Sequence, residues 1–237
     1  MQSLAASVWQ RELLELIRRP RALVVKLLFP LGVAVPLLFS SAPAFYAAMA
    51  LTMLVGTMGA LGSGAVLARE RTSGLNLRYL VLPMGPARLV LERVAVSAGI
   101  DLVQVLPVLV LILVRRPALA GWWPALLLAV AGTLLMANVL GAFASTLSRS
   151  PGEVMLYVLL PTLPAFYLAG VFTPFGDGVR VAISRLIPFS YLHEALVGSL
   201  GGAPVLVPWQ AALGGAAFVA VGAGSAAALG RRLLEAD

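Results

Sequence analysis

The chain has 237 residues, of which 60% are hydrophobic and 11% are charged, and its formal net charge is +7. A typical soluble domain has about 25% charged residues, so this composition excludes a protein that only water solvates. It also excludes disulfides, thiolate chemistry and a self-contained Walker A nucleotide site, because the chain has no cysteine and its one lysine, Lys26, lies outside any Gly-x-x-x-x-Gly-Lys-Ser/Thr motif.

The first twenty residues predict a helix that lies on a membrane surface. Trp9, Leu13 and Ile17 share one face at helical spacing, while Arg11 lies on another, and Pro20 ends the pattern. We expect residues 1–20 to form an amphipathic interfacial helix that anchors the first membrane span. Contact with a cytoplasmic partner is the alternative role.

Six apolar runs approach the length of about 20 residues that a helix needs to cross a hydrocarbon core of about 30 Å. The turn from Ser40 to Pro43 makes a hairpin of the first two runs. We therefore predict an all-α integral membrane protein, with residues 1–237 as a single transmembrane domain of six transmembrane helices. The predicted spans are Ala22–Phe39, Ala44–Ala68, Val94–Val114, Trp123–Leu147, Val154–Phe172 and Trp209–Gly230.

The basic residues predict the orientation of these spans. Most of the 17 lie between apolar runs on the side of the N-terminus, whereas Arg115, Arg116, Arg180 and Arg185 lie on the other side. Since the basic side of a membrane protein is cytoplasmic and an even number of spans returns the chain, both termini are predicted to be cytoplasmic. This distribution is typical of a chain that contacts a lipid bilayer, and no nucleic-acid partner is expected.

The longest segment on the predicted cytoplasmic side runs over residues 69–93. Leu75, Tyr79 and Leu82 recur at helical spacing, and Pro83 and Pro86 then break the run. The pattern predicts a short cytoplasmic helix and a rigid turn between spans two and three. An ordinary basic loop is the alternative.

The segment over residues 173–208, on the predicted outer side, is too apolar for a solvated loop. Val179 and Ile183 lie opposite Arg180, and Pro188 separates this stretch from a second short helix. The pattern predicts two short outer half-helices between spans five and six. Irregular backbone at membrane depth is tolerated only where protein or water satisfies it.

Two further expectations concern the second half-helix. Glu194 is predicted to brace the pair of half-helices through an ion pair with Arg180 or Arg185. Gly198, Gly201 and Gly202 are predicted to give a flexible return to the last span.

Asp101 is the most unusual residue in the spans, because a carboxylate inside a membrane costs a few kcal/mol and is a functional candidate. Gln104 lies one turn away on the same face. Asp101 either contacts cargo or a proton, or it forms a structural pair with Arg93 or another basic residue. Asn138 in the fourth span is interpreted as a polar contact between helices.

Two stripes of small residues predict close helix packing, in span two and in span six. The sequence leaves open whether the first of them packs within one subunit or across a dimer. The stripes are Gly56, Ala60 and Gly64, and Ala216, Ala220 and Gly224.

Three parts of the chain carry motifs that follow one another in the order and spacing of a known family, and the third part has two segments. Arg18-Arg19-Pro20-Arg21 precedes a first span with a proline, and Glu70-Arg71-x-x-Gly74 leads into a leucine-rich turn. Ala169–Pro174 then reads Ala-Gly-Val-Phe-Thr-Pro, and Ile187–Leu196 reads Ile-Pro-Phe-Ser-Tyr-Leu-His-Glu-Ala-Leu. With six predicted spans in the right places, essentially the whole chain resembles the membrane (permease) subunit of type-2 ABC exporters.

The resemblance implies a permease that forms the cargo path and couples to a separate ATP-binding subunit. ATP and Mg²⁺ would be bound by that partner, so this chain would carry no cofactor and no catalytic or metal site. A second copy of the chain, or a paralogue, would complete the path in a bacterial or archaeal cytoplasmic membrane. The residues implied in coupling are Glu70, Arg71, Gly74, Leu75, Arg78, Leu82, Pro83 and Pro86, and those implied in the outer half-helices are Gly170, Pro174, Pro188, Tyr191 and Glu194.

Two other functions stand as alternatives to this one. A secondary transporter or channel without ATP would favour interrupted helices in both halves and several intramembrane ionisable groups. An intramembrane enzyme would need a nucleophile and base, or paired carboxylates, at a common depth, and no such set is evident. The scarcity of aromatic residues in the spans favours a hydrophobic small molecule, a drug or a lipid-like compound as cargo.

Overall fold

The computed structural model describes residues 10, 20–72, 85–148, 150–174 and 178–235. These residues form helices and connecting turns, without a strand. Apart from Gln10 and Pro20, the predicted interfacial helix over residues 1–20 lies outside the described residues, as does the predicted cytoplasmic helix near residues 74–82. The helices are α1 (Pro20–Phe39), α2 (Ala44–Thr72), α3 (Pro86–Arg115), a 3₁₀ turn (Pro117–Trp122), α4 (Trp123–Leu147), α5 (Pro151–Leu168), α6 (Gly178–Ser184), α7 (Pro188–Ser199) and α8 (Pro208–Glu235).

Four helical stretches of the described chain are long and apolar enough to cross a membrane, and two apolar helices are shorter. The four are Ala44–Glu70, Ala87–Arg115, Pro117–Leu147 and Pro208–Gly230, and the two are Val24–Phe39 and Gly152–Leu168. All six coincide with predicted spans, but length and composition support only the four as candidate membrane crossings, so the six-span topology stays a prediction.

The third predicted span begins earlier than expected, at Pro86 instead of Val94. The polar residues in its first turns hid the helix from a search for apolar runs. Proline at the first helical position fits the helix geometry, and Arg88 Nε lies 2.9 Å from Glu92 Oε1, one turn further along. Helix α3 therefore reaches well beyond its apolar part.

The fifth predicted span ends earlier than expected, at Leu168 instead of Phe172. Gly170 has a φ of +78°, a left-handed conformation that glycine adopts without steric cost. The N–H of Val171 donates to the carbonyl of Phe166 at 3.0 Å, and the N–H of Gly170 donates to Tyr167 at 3.2 Å. These two bonds form a Schellman motif, which ends the helix.

The end of α7 corrects the prediction of a flexible return. Gly201 has a φ of +81°, and the N–H of Gly202 donates to the carbonyl of Val197 at 2.9 Å. These features form a second helix stop of the same kind. The chain leaves α7 through a defined turn.

Helix α4 lies at the centre and packs against α2, α3, α5, α7 and α8. Its contact with α2 is so close that a Cβ atom on Gly141 would lie 2.1 Å from the carbonyl oxygen of Ala60. Gly64 faces Gly141 and Val154, and Gly56 faces Phe166. The small-residue stripe on α2 therefore packs within the subunit.

The predicted stripe on α8 does not pack against another helix of the described chain. Ala216, Ala220 and Gly224 are exposed, and a Cβ atom on Gly224 would meet nothing within 4 Å. The close contact with α4 uses Gly215 instead, where a Cβ atom would lie 2.5 Å from the backbone of Leu128. A helix that is apolar all round does not reveal by sequence which of its small-residue rows faces the core.

Candidate functional site

The end of α2 is joined to the beginning of α3 by a buried ion pair between Glu70 and Arg93. The two residues are 7% and 4% exposed. Thr72 and Pro86, the helix ends next to this pair, flank the segment that was predicted to couple to an ATP-binding subunit. The ion pair therefore fixes both ends of that segment against each other.

Of the residues implied in coupling, Glu70 and Pro86 lie in described helices, and Arg71 belongs to the last turn of α2. Gly74, Leu75, Arg78, Leu82 and Pro83 lie outside the described residues, so the coupling role stays a prediction. The new information is the partner of Glu70, which the sequence did not suggest.

Of the basic residues expected to pair with Asp101, Arg93 instead contacts Glu70. Asp101 lies in the middle of α3, and its Oδ2 accepts a hydrogen bond of 3.0 Å from Asn138 Nδ2 on α4. Asn138 Nδ2 also lies 2.9 Å from the carbonyl oxygen of Leu134. The interpretation of Asn138 as a polar contact between helices is confirmed.

Asp101 also lines a groove between α1, α2 and α3 with a volume of about 470 Å³. Gln104 lies in the same wall, as its position one turn from Asp101 indicated. The apolar part of the wall is Val25, Phe29, Met58 and Leu61, and the polar part is Lys26, Thr57, Asp101 and Gln104.

Lys26 was not predicted as a site residue, since its charge was interpreted only as part of what orients the chain. The structure places Lys26 within α1, exposed in the wall of the groove. The sequence could have identified Lys26, because it falls inside the first predicted span and a charged residue within a span is a functional candidate.

The half-helices α6 and α7 are held by backbone acceptors and donors. Ser190 Oγ donates to the carbonyl of Ser184 at 2.7 Å, and Tyr191 OH donates to the carbonyl of Arg185 at 3.1 Å. Pro188 begins α7, and its carbonyl accepts from Thr133 Oγ1 on α4 at 3.4 Å. Pro174 is exposed in the turn after α5. Helices α6 and α7 are therefore fixed to each other and, through Pro188, to the central helix.

The apolar stripe of α6 faces away from the protein. Val179 is 72% exposed and Leu186, just after the helix, is 77% exposed, whereas Ser184 is buried. Arg180 lies over the ring of Tyr167, with its guanidinium carbon 4.3 Å from the ring centroid, and donates to the carbonyl of that residue. This arrangement suits a helix with lipid on its outer side.

Glu194 braces the return to the last helix, but by a different contact from the predicted one. Its carboxylate accepts the backbone N–H groups of Val205 and Leu206, and within the described part of the chain it forms no ion pair with Arg180 or Arg185. Burial raises the pKa of Glu194, and the two N–H donors and the charge of Arg185 partly offset that rise.

Among the residues that the structure describes, no group of three or more histidine, aspartate or glutamate side chains is placed to hold a metal ion. The polar residues of the site either form hydrogen bonds and an ion pair between helices or line the wall of the groove.

Comparison with known proteins gives the family. The family "ABC-2 type transporter" matches residues 4–200. Inner membrane transport permease YhhJ of Escherichia coli (strain K12) and the protein of the same name from Shigella flexneri are each 31% identical to the chain over 134 residues. That match covers 55% of this chain and 35% of each relative. No solved structure matches the chain significantly. The family match covers most of the chain, so the chain belongs to the ABC-2 type transporter family.

Proposed function

We propose that the chain is the permease subunit of an ATP-driven exporter and that it forms the cargo path. Membership of the ABC-2 type transporter family carries this proposal. The relatives named as inner membrane transport permeases support a place in the cytoplasmic membrane of a bacterium or archaeon. ATP and Mg²⁺ would be bound by a separate subunit, so this chain would be a transport subunit and not an enzyme.

The proposed topology has six spans, with both termini in the cytoplasm. Helix α1 has 20 residues and α5 has 18, which at about 1.5 Å per residue is close to the thickness of a hydrocarbon core of about 30 Å. The half-helices α6 and α7 would lie at the outer surface and extend the path of α5.

The proposed coupling uses the segment between Thr72 and Pro86. Since Glu70 and Arg93 join the helices at its two ends, a push on this segment would move α2 and α3 together. Both helices line the groove that contains Asp101. ATP-driven closure of the partner would thereby change access to the path, as alternating access requires.

A second copy of the chain, or a paralogue, would complete the transporter. Helix α5 offers an apolar outer face on which Leu156 is 69% exposed and Leu160 is 76% exposed. We propose a hydrophobic small molecule, drug or lipid-like compound as cargo, since the groove wall is mostly apolar.

The test is reconstitution of the chain in liposomes with a candidate ATP-binding subunit. We expect co-purification of the two subunits and transport that requires ATP. Replacement of residues 74–86 by a flexible linker should abolish both, while leaving the melting temperature of the permease unchanged. Transport by the chain alone, without the partner and without ATP, would contradict the proposal and favour a secondary transporter or channel.

A further inference from the structure

The groove between α1, α2 and α3 carries two opposite charges at separate places in its wall. Lys26 extends from α1 and is exposed, whereas Asp101 on α3 is half-buried. The charge of Lys26 acts on the carboxylate, but the described residues contain no ion pair between the two side chains. The groove therefore offers a carboxylate, Asp101, and an ammonium group, Lys26, that are not in direct contact with each other.

One oxygen of the Asp101 carboxylate is held and the other is available. Oδ2 accepts the hydrogen bond from Asn138, which makes Asn138 a positioning residue for this carboxylate. Oδ1 lies 4.0 Å from the point where a Cβ atom on Gly62 would be, and Gly62 itself lines the groove. The missing side chain at residue 62 therefore leaves the carboxylate open to a ligand.

The charges select the class of ligand. A charge in an apolar wall is costly unless a counter-charge or hydrogen bonds compensate it. A ligand that is only cationic would pair with Asp101 but would be repelled by Lys26. A ligand that is only anionic would pair with Lys26 but would be repelled by Asp101. A ligand with both an amine and an acidic group satisfies both side chains.

The rest of the wall selects a ligand with an apolar body. Val25, Phe29, Met58 and Leu61 line the groove beside the two charges, and Val25 and Phe29 are 65% and 56% exposed. The volume of about 470 Å³ lies within the range of about 300–1,000 Å³ that is usual for small-molecule sites.

We propose that this groove binds a zwitterionic lipid, whose amine contacts Asp101 and whose acidic group contacts Lys26. The acyl chains lie against the apolar wall and leave through its open side. That this lipid is transported as cargo rests on the proposed function. That it binds in the groove does not.

The test is a titration of the purified full-length chain, freed of lipid, by native mass spectrometry. Three lipids with the same dioleoyl chains are compared: zwitterionic phosphatidylethanolamine, anionic phosphatidylglycerol and cationic dioleoyl trimethylammonium propane. We expect the zwitterionic lipid to bind at least about tenfold more tightly than either of the others, which corresponds to about 1.4 kcal/mol. Soluble glycerophosphoethanolamine, which has the same phosphodiester head group but no acyl chains, should compete at least about tenfold more weakly than the lipid, because it buries no apolar chain against the wall.

Three variants locate the site. Lys26→Gln and Asp101→Asn should each weaken binding of the zwitterionic lipid at least about tenfold, the lower end expected for loss of a charged hydrogen bond. The amide introduced by Asp101→Asn still offers an oxygen to Asn138, so the helix contact is retained. Gly62→Leu changes no charge but fills the space in front of Oδ1, and it should weaken binding as well.

The matched control is Glu92→Gln, which removes an acid from the same helix outside the groove and should leave binding unchanged. Melting temperatures of all variants verify folding. Binding that is equal for the three lipids, or unchanged in the Lys26 and Asp101 variants, would overturn the proposal. So would tighter binding of the cationic lipid together with a gain in its binding on Lys26→Gln.

The assay contains neither ATP nor an ATP-binding subunit, so its result is separate from the test of the proposed function. ATP-dependent transport without any charge preference in the groove would refute this inference alone. Selective lipid binding without ATP-dependent transport would refute the proposed function and leave the site in place.

Discussion

The carboxylate of Glu70 and the guanidinium of Arg93 form a buried ion pair that joins the last turn of α2 to the beginning of α3. The two residues are separated along the chain by the segment that is proposed to couple to an ATP-binding subunit. Their contact makes the helix ends on either side of that segment one mechanical unit.

The first prediction concerns this ion pair. Arg93→Met removes the guanidinium that pairs with the buried carboxylate of Glu70, and loss of one member of a buried pair costs about 3–5 kcal/mol of unfolding free energy. We expect a clear fall in the melting temperature of the purified chain in detergent. The double variant Glu70→Leu with Arg93→Met should recover most of the loss, because neither charge remains.

A melting temperature that falls as far in the double variant as the sum of the two single variants would contradict this account. It would mean that the two side chains stabilise the chain independently. A thermodynamic cycle of the four proteins measures the coupling directly.

The second prediction compares two glycines in helices. Gly141→Ala places a Cβ atom where it would lie 2.1 Å from the carbonyl oxygen of Ala60, so α2 and α4 must move apart. We expect a loss of about 1–3 kcal/mol from overpacking, measured by thermal unfolding. Gly224→Ala is the matched control, since a Cβ atom there meets nothing within 4 Å. It should be neutral or stabilising, by up to about 1 kcal/mol, because alanine favours helix over glycine.

The third prediction concerns Glu194. Glu194→Leu removes the acceptor for the N–H groups of Val205 and Leu206, and the loss at Leu206, which is buried, costs about 1–3 kcal/mol, whereas Val205 is exposed and water can replace its acceptor. Glu194→Gln keeps an oxygen at the same place and should cost much less. Hydrogen exchange at residues 205 and 206 measures the effect locally, and equal protection in the two variants would refute the role of the carboxylate oxygen.

The fourth prediction concerns pH. His193 is 1% exposed and its ring centroid lies 4.9 Å from that of Phe45. Burial lowers the pKa of His193 from 6.5 to about 4. Between these pH values the unfolded chain binds a proton at residue 193 that the folded chain does not, so the contribution of His193 to the free energy of unfolding rises as pH rises from about 4 to 6.5 and then levels off.

The size of this effect is about 3 kcal/mol over that pH range. His193→Gln removes the titrating group and leaves Glu194 and the other acids in place. Most of this transition lies between about pH 4.5 and about pH 7.5. The difference in melting temperature between these two pH values should therefore be smaller in the variant than in the unchanged chain. Identical pH dependence of the two proteins would show that His193 does not titrate as a buried group.

Much of the helical framework could be predicted because membrane helices have a minimum apolar length. The fourth span was predicted at Trp123–Leu147, where the structure places α4, and the first hairpin turns between Phe39 and Ala44 as predicted. The glycine at residue 170 was singled out as part of a pattern, but the sequence did not reveal that its backbone conformation ends α5.

What the amino-acid sequence determined by itself was the class of protein, the approximate helices and the residues whose charge is out of place in a membrane, such as Asp101. The tertiary structure decided which residues meet: Arg93 with Glu70, Asp101 with Asn138, and Gly215 of α8 with α4. The physical reason is that lipid-facing and core-facing sides of these helices are equally apolar, so the hydrophobic pattern carries little information about rotation. The packing of α4 against its neighbours fixes the rotation of those helices, and the contacts of α1 with α2 and α3 bring Lys26 to the groove that contains Asp101.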